Sequence, residues 1–326
     1  MEVLVTGAPG WLGTSLVEEL VKKRFKVRCL VLEGLDSSYL EKLGAVVIKG
    51  NVLNRETLDK ATKGVDIVFH CAGIIHPKKI KELYQVNYFG TKNLLDSAID
   101  SGVKKFILVS SNSPMGCNEY REILFKEDDP YNPYKNYGKS KMLAEKYANY
   151  MFKEGKIDVT IIRPCWFYGP NQPLRQTTFF KMIKKGNPIV FGDGQNLRSM
   201  SYVDNIVQGL ILAAESKKSS GQTYWIADSK PYSTLEIYGT IADLLNVKLK
   251  PRFVPGLMST MCEISDGILQ GTGLYIKEIH VAGEMNKNIA CSIEKARKEL
   301  GYNPKIDLRE GMKRSIEWCR KQGVEI

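Results

Sequence analysis

Tyr137-Gly138-Lys139-Ser140-Lys141, near the middle of the 326-residue chain, sets a phenol and an ammonium four residues apart. If Tyr137 to Met151 is helical, the two side chains lie one turn apart on a shared face. A phenol titrates at about 10 in water and is a poor base at neutral pH, but a cation beside it favours the phenolate. Tyr137 is therefore a candidate general acid/base and Lys141 its electrostatic partner. The same spacing also arises on solvated helices that do no chemistry, so the elements around it must decide.

The first of those elements opens the chain. Val3-Leu4-Val5 is a short apolar run that stops at Thr6-Gly7-Ala8-Pro9-Gly10-Trp11-Leu12-Gly13, and Leu16, Leu20 and Val21 then fall at helical spacing. Strand, glycine turn and helix in this order cradle a dinucleotide. Gly7 permits the tight turn, Gly10 lets a pyrophosphate approach the backbone, and Gly13 lets the helix pack closely. Further strands are predicted over Val27 to Leu32, Ala45 to Ile48, Asp66 to His70 and Phe106 to Ser110. Helical segments such as Arg55 to Thr62 and Lys81 to Ser101 separate them. Alternation of this kind predicts an α/β fold, a doubly wound parallel sheet of the Rossmann type covered on both faces.

Composition excludes other classes. A content of 43% hydrophobic and 25% charged residues is that of a soluble globular protein with a large core. The seven cysteines are scattered without metal-ligand spacing, which predicts reduced thiols, no metal site and a cytoplasmic protein. The chain begins directly in a strand with no basic leader before it, and its apolar runs are too short to span a bilayer. The net charge of +11 admits an anionic partner or reflects plain lysine-rich solubility. Its lysines are dispersed in short pairs such as Lys22-Lys23 and Lys78-Lys79, which argues against nucleic acid.

Together these segments resemble the extended short-chain dehydrogenase/reductase family, which contains nucleotide-sugar epimerases, dehydratases and 3β-hydroxysteroid dehydrogenase relatives. The resemblance covers nearly the whole chain: the glycine turn, His70-Cys71-Ala72-Gly73, Asn87-Tyr88-Phe89-Gly90-Thr91, Ser110-Ser111, the Tyr137/Lys141 pair, and Arg163-Pro164 leading to Tyr168-Gly169-Pro170. It continues through Gly192-Asp193-Gly194, Arg198, Tyr202-Val203-Asp204-Asn205 and Leu300-Gly301-Tyr302-Asn303-Pro304. By this resemblance Ser111 joins Tyr137 and Lys141 as a catalytic residue, its hydroxyl bonding the substrate oxygen, with a loop-capping serine pair as the alternative. Cofactor contacts are implied for the turn residues Gly7, Gly10, Trp11, Leu12 and Gly13, and for Glu33, Asn51 and Val52 beyond the second and third strands. They are also implied for Cys71, Ala72 and Gly73, for Tyr137 and Lys141, and for Pro164. Asn87 is expected to act near the cofactor as a hydrogen-bonding support. Substrate contacts are implied for Asn112, Trp166, Arg175 and Arg198, the last toward a sugar-nucleotide diphosphate.

The departures from the family pattern sharpen the reading. Val31-Leu32-Glu33-Gly34 lacks the usual ribose-binding acid at its usual place, with Glu33 near enough to substitute, and Asn51 replaces a common aspartate near the adenine. The expected cofactor is NAD, with NADP as the alternative and Arg28 the cation that would serve it. Asn112-Ser113-Pro114-Met115 stands where dehydratases carry an Asp-Glu pair, which argues against 4,6-dehydration. Trp166 replaces the asparagine common in nucleotide-sugar enzymes, and the apolar segment Val254 to Ile268 reads either as core or as the substrate surface of a hydroxysteroid-type enzyme.

The leading reading is a nucleotide-sugar epimerase with residues 1–165 as the dinucleotide-binding domain. Residues 166–326 are mainly a smaller C-terminal substrate lobe, with some segments returning to the Rossmann core. The alternative is a dehydrogenase/reductase of a hydrophobic 3-hydroxy or 3-keto compound, and outside enzymes a nucleotide-bound regulatory protein. The resemblance also implies a homodimer through the helices of Tyr84 to Ser101 and Tyr137 to Met151, with Leu94, Leu95 and Ala148 shared between subunits.

Overall fold

The computed structural model describes residues 1–326, the side chain of Arg175 excepted. Six strands alternate with helices: β1 (Glu2–Thr6), β2 (Lys26–Val31), β3 (Val46–Lys49), β4 (Ile67–His70), β5 (Lys105–Val109) and β6 (Asp158–Pro164). They pair in parallel in the order β6-β5-β4-β1-β2-β3, and the strand Thr223–Ile226 adds a seventh beside β6. The doubly wound sheet expected from the alternation is present, and its strand ends fall within a residue or so of those expected.

Side chains of β1 alternate between two cores. Val3 and Val5 pack with Leu12 and Leu16 of α1 (Trp11–Lys22) and with Val203 to Leu210, whereas Leu4 packs with Leu94, Leu95, Phe106 and Ala148. A strand sandwiched between helices has no solvent face, so both phases of its period-two pattern are apolar. The same packing corrects the expected subunit interface. Leu94, Leu95 and Ala148 are fully buried against their own sheet, because each helix spends its apolar stripe inward, while Phe89 and Tyr150 stay exposed. Lys81 to Ser101 is helical as expected but is not one regular helix. Its middle, Tyr84–Gly90, widens into a π-helical turn that aims Asn87 inward, before Thr91–Asp100 resumes α geometry.

A third core forms away from the sheet, from Tyr168, Phe180, Ile183, Tyr202, Tyr238, Leu308 and Ile316 among others. Val254 to Ile268 mostly forms the helix Gly256–Gly271, and the reading of its apolar stripe as core is overturned: those side chains point to solvent. Among the described residues no helix is long and apolar enough to cross a membrane, and no cluster of His, Cys, Asp and Glu is arranged to hold a metal ion.

Candidate active site

Because the sheet is parallel, β1, β4, β5 and β6 all deliver their carboxyl ends to one edge, where the direction of strand order reverses between β1 and β4. The glycine turn leaves that edge from β1. Gly7 has φ +87°, and a Cβ there would lie 2.6 Å from the backbone of Cys71 at the end of β4. A Cβ on Gly13 would lie 2.6 Å from the Ala8 nitrogen. Only glycines allow the chain to fold this tightly against its neighbours. Gly10, at the start of α1, supplies no capping side chain, so the first-turn amides receive no side-chain cap among the described residues. A diphosphate fits that opening by charge and by hydrogen-bonding type.

Thr6, His70 and Asn87 brace the edge. Thr6 Oγ1 lies 2.7 Å from His70 Nδ1 and accepts from the Ala72 amide at 3.3 Å, and His70 Nε2 lies 2.9 Å from Thr91 Oγ1. Burial, with help from the Lys141 charge, pushes the His70 pKa down to about 3, so this ring is a neutral strut and no acid/base. Asn87 accepts from the Ile74 amide at 2.9 Å and donates to the Ile74 carbonyl at 2.9 Å and to Ser140 Oγ at 3.1 Å. It ties the loop after β4 to the helix Lys135–Lys153.

Glu33 and Asn51 line a cavity of about 290 Å³ with Leu32, Gly50, Leu53, Asn54 and Thr57, beyond the ends of β2 and β3. Val52 lies just beside it, nearly buried. Arg28, the cation considered for a second phosphate, is committed elsewhere. It pairs with Glu2 and donates to the carbonyls of Ala61 and Lys63 at 2.8 and 2.9 Å.

Ser110 and Ser111 follow β5 and face opposite ways, as adjacent residues of extended chain must. Ser110 Oγ donates to Glu145, which is fully buried and paired with the buried Arg163 at 2.6 Å while accepting from Tyr131 at 2.9 Å. Ser111 Oγ turns the other way, toward Ser113 Oγ at 3.3 Å and Asn112 Oδ1 at 3.5 Å. The Ser113 loop also carries the start of the Lys135–Lys153 helix. The Tyr134 amide donates to the Ser113 carbonyl at 2.9 Å, and a Cβ on Gly138 would lie 2.4 Å from the Ser113 oxygen. Gly138 is therefore what lets Tyr137 approach the Ser111 loop. Lys141, one turn along the same helix, donates to the Val109 carbonyl at 2.8 Å. Burial lowers its pKa to about 8 against the opposing pull of Glu145 and Cys71. The three expected catalytic residues are thus gathered where β5 meets this helix. Sequence reasoning missed Glu145, although its place one turn beyond Lys141 was a usable signal.

Later segments carry the residues expected on the substrate side. Arg198, only 2% exposed, lies with its guanidinium carbon 4.3 Å from the centre of the Trp166 ring and donates from Nη2 to the Glu284 carbonyl. Its Nε and Nη1 have no hydrogen-bond partner among the described residues. The loop aspartate Asp193 does not hold it and pairs with Arg121 at 3.0 Å. Asn112, expected on this side, is buried beside Ser111, and Pro164 ends β6. Arg175 lies on the helix Leu174–Lys184, and its side chain is outside the described residues. Trp11 links the two halves: its indole donates to the Pro170 carbonyl at 2.6 Å.

His280, one of three histidines, was not anticipated as part of this region. Its Nδ1 lies 2.8 Å from Asp266 and its Nε2 3.8 Å from Glu284. Burial opposes its charge, but the Asp266 hydrogen bond and the charges of Glu284 and Asp266 outweigh it, so its pKa is raised. Imidazolium stabilisation is fully present below the unfolded value of about 6.5 and is lost as pH rises through the higher folded value. The melting temperature of His280→Gln should therefore fall furthest below wild type near pH 6, with the deficit shrinking as pH rises. A deficit independent of pH would show that the charge contributes nothing.

Comparison with known proteins bears on this arrangement. The sequence model of the 3-beta hydroxysteroid dehydrogenase/isomerase family matches residues 4–254. The chain is 43% identical to an uncharacterized protein, y4nL, of Sinorhizobium fredii, over 98% of this chain and 96% of that one. It is 29% identical to a UDP-glucose 4-epimerase of Vibrio cholerae, over 97% and 94% of the two chains. With the human sterol-4-alpha-carboxylate 3-dehydrogenase, decarboxylating, identity is 30% over 97% and 87%. Its fold superposes on a UDP-glucose 4-epimerase of Thermotoga maritima with a TM-score of 0.80 over 99% of both chains, at 24% identity.

Proposed function

The chain belongs to the 3-beta hydroxysteroid dehydrogenase/isomerase family, within the extended short-chain dehydrogenases/reductases, and we propose that it is an NAD-dependent enzyme oxidising a secondary alcohol of a nucleotide sugar in an epimerase-type cycle. One observation carries the substrate class: Arg198 is buried with two guanidinium nitrogens, Nε and Nη1, unsatisfied among the described residues. An unmet buried donor is costly, and a planar fork of donors suits phosphate oxygens. The segments of 166–326 that lie outside the sheet supply this substrate side.

The Gly7 to Gly13 turn holds the cofactor diphosphate, and Glu33 and Asn51 line the cavity for its adenosine end. Arg28 is tied to Glu2, and Lys49 beyond β3 to the Leu35 carbonyl and Ser37 Oγ, so neither cation is free for a further phosphate, which favours NAD over NADP. A nicotinamide held there would supply reversible hydride acceptance at the substrate carbon. Tyr137 removes the proton from the substrate hydroxyl and gives it back, Ser111 Oγ hydrogen-bonds the same oxygen, and Lys141, mostly cationic at pH 7, favours loss of the phenolic proton. A homodimer through the exposed Phe89 and Tyr150 belongs to the same reading.

Trp166 favours a second reading, a hydrophobic alcohol, because an indole stacked on Arg198 covers the charge that a diphosphate would meet. Calorimetry separates the two. The cofactor-loaded wild type should bind UDP, and Arg198→Ala should weaken that binding roughly tenfold or more, the worth of a charge-assisted contact, with NAD affinity unchanged. Absence of any nucleoside-diphosphate binding by wild type would discard the sugar-nucleotide reading in favour of the apolar alcohol.

A further inference from the structure

The helix that carries Tyr137 has a weak start. Tyr134, at its N-cap position, makes no side-chain hydrogen bond to the first amides among the described residues. Lys135, its first residue, has φ +51°, a left-handed backbone that a residue with a side chain adopts only at a cost. What holds this start lies on the helix Gly256–Gly271, whose Glu263, Gly267 and Gln270, spaced by four and three residues, share one face. Lys135 Nζ donates to the Glu263 carbonyl at 3.0 Å, and it lies so close over Gly267 that a Cβ there would come within 3.1 Å of it. Gln270 Oε1 accepts from the Asn136 amide at 3.2 Å and from Asn136 Nδ2 at 2.9 Å. The cap is supplied by a residue 134 positions away.

Gln270 is itself locked in place. It is 5% exposed, and its Nε2 donates to both oxygens of Asp266, at 3.0 and 2.9 Å. Asp266, fully buried, also lies 2.8 Å from His280 Nδ1. A carboxylate only accepts and a backbone amide only donates, so the Gln270 amide fits in one orientation, with its oxygen toward Asn136. From the other side Tyr84 Oη donates to Asn136 Oδ1 at 2.7 Å, which pins Asn136 between the π-helical turn Tyr84–Gly90 and the helix Gly256–Gly271. The next residue is Tyr137. We infer that Gln270 is a positioning residue for the acid/base: it holds the strained start of the Lys135–Lys153 helix so that the Tyr137 phenol stays at the Ser111 loop and beside Lys141. The inference rests on the acid/base role proposed for Tyr137. It gives the C-terminal lobe a part in proton transfer besides its substrate contacts.

NMR of tyrosine labelled at Cζ reads this without a substrate, in the NAD-loaded full chain, with the Tyr137 resonance assigned by its absence from Tyr137→Phe. Gln270→Asn keeps an amide for Asp266 but withdraws it from Asn136 by one C–C bond, roughly 1.5 Å. Gln270→Met fills the same space without an amide. In wild type the phenol should titrate below the ordinary value of about 10, and each variant should move its midpoint up by about one unit or more as the phenol leaves Lys141. A purely structural role would lower the melting temperature and leave that midpoint in place. Both variants lose the Asn136 contact, so one that folds decides. An unchanged midpoint would overturn the positioning role and leave the acid/base reading standing. A wild-type phenol that titrates at the ordinary value would withdraw the acid/base reading and this inference with it.

Discussion

Tyr137→Phe should lower turnover by roughly 10²- to 10⁴-fold, the range of a lost general acid/base, while cofactor affinity stays nearly intact. The substitution removes one oxygen and no packing volume. The helix around it is fixed by other bonds, among them Lys141 to the Val109 carbonyl and Ser140 Oγ to the Tyr137 carbonyl. The proposed cofactor contacts at the glycine turn would come from β1 and α1 and would not pass through the phenol. Single-turnover rates on a responsive substrate, with cofactor titration by fluorescence, separate the two effects. Full activity in the variant would remove Tyr137 from the chemistry.

Replacing Arg163 with methionine should cost about 3 to 5 kcal/mol of stability, because it strands a buried carboxylate. Arg163 is 2% exposed and Glu145 fully buried, and Nε and Nη2 of the guanidinium both reach that carboxylate, at 3.1 and 2.6 Å. Glu145 also receives Ser110 and Tyr131, and with Arg163 gone those two hydroxyls remain its only direct donors. Chemical denaturation of the variant reads the loss directly. Arg163→Met/Glu145→Met, which removes both charges, should recover much of it. A single variant as stable as wild type would mean that the pair is not buried in solution.

How much of this was legible in advance depended on distance along the chain. The glycine turn could be found because strand, turn and helix are consecutive, and the backbone demands of each are written in neighbouring residues. Tyr137 and Lys141 could be paired because one helical turn brings residue i to i+4. Both serines were visible after β5, and Ser111 was chosen by resemblance. What separates them physically is that Ser110 reaches Glu145, 35 residues on.

By itself, then, the sequence determined the alternating parallel architecture, the tight glycine turn after β1 and the helix that carries Tyr137 and Lys141, since each follows from short-range periodicity and backbone freedom. Tertiary structure alone decided the rest. It turned Leu94, Leu95 and Ala148 into the subunit's own core, gave Asp193 to Arg121, and laid Trp166 against Arg198 with two of its nitrogens unpartnered among the described residues. It also turned the apolar stripe of Gly256–Gly271 outward. Helical periodicity defines two faces of such a segment, but which face is buried depends on partners such as Asn136 and Ala282, far away in the chain or on another helix, and no local pattern encodes them.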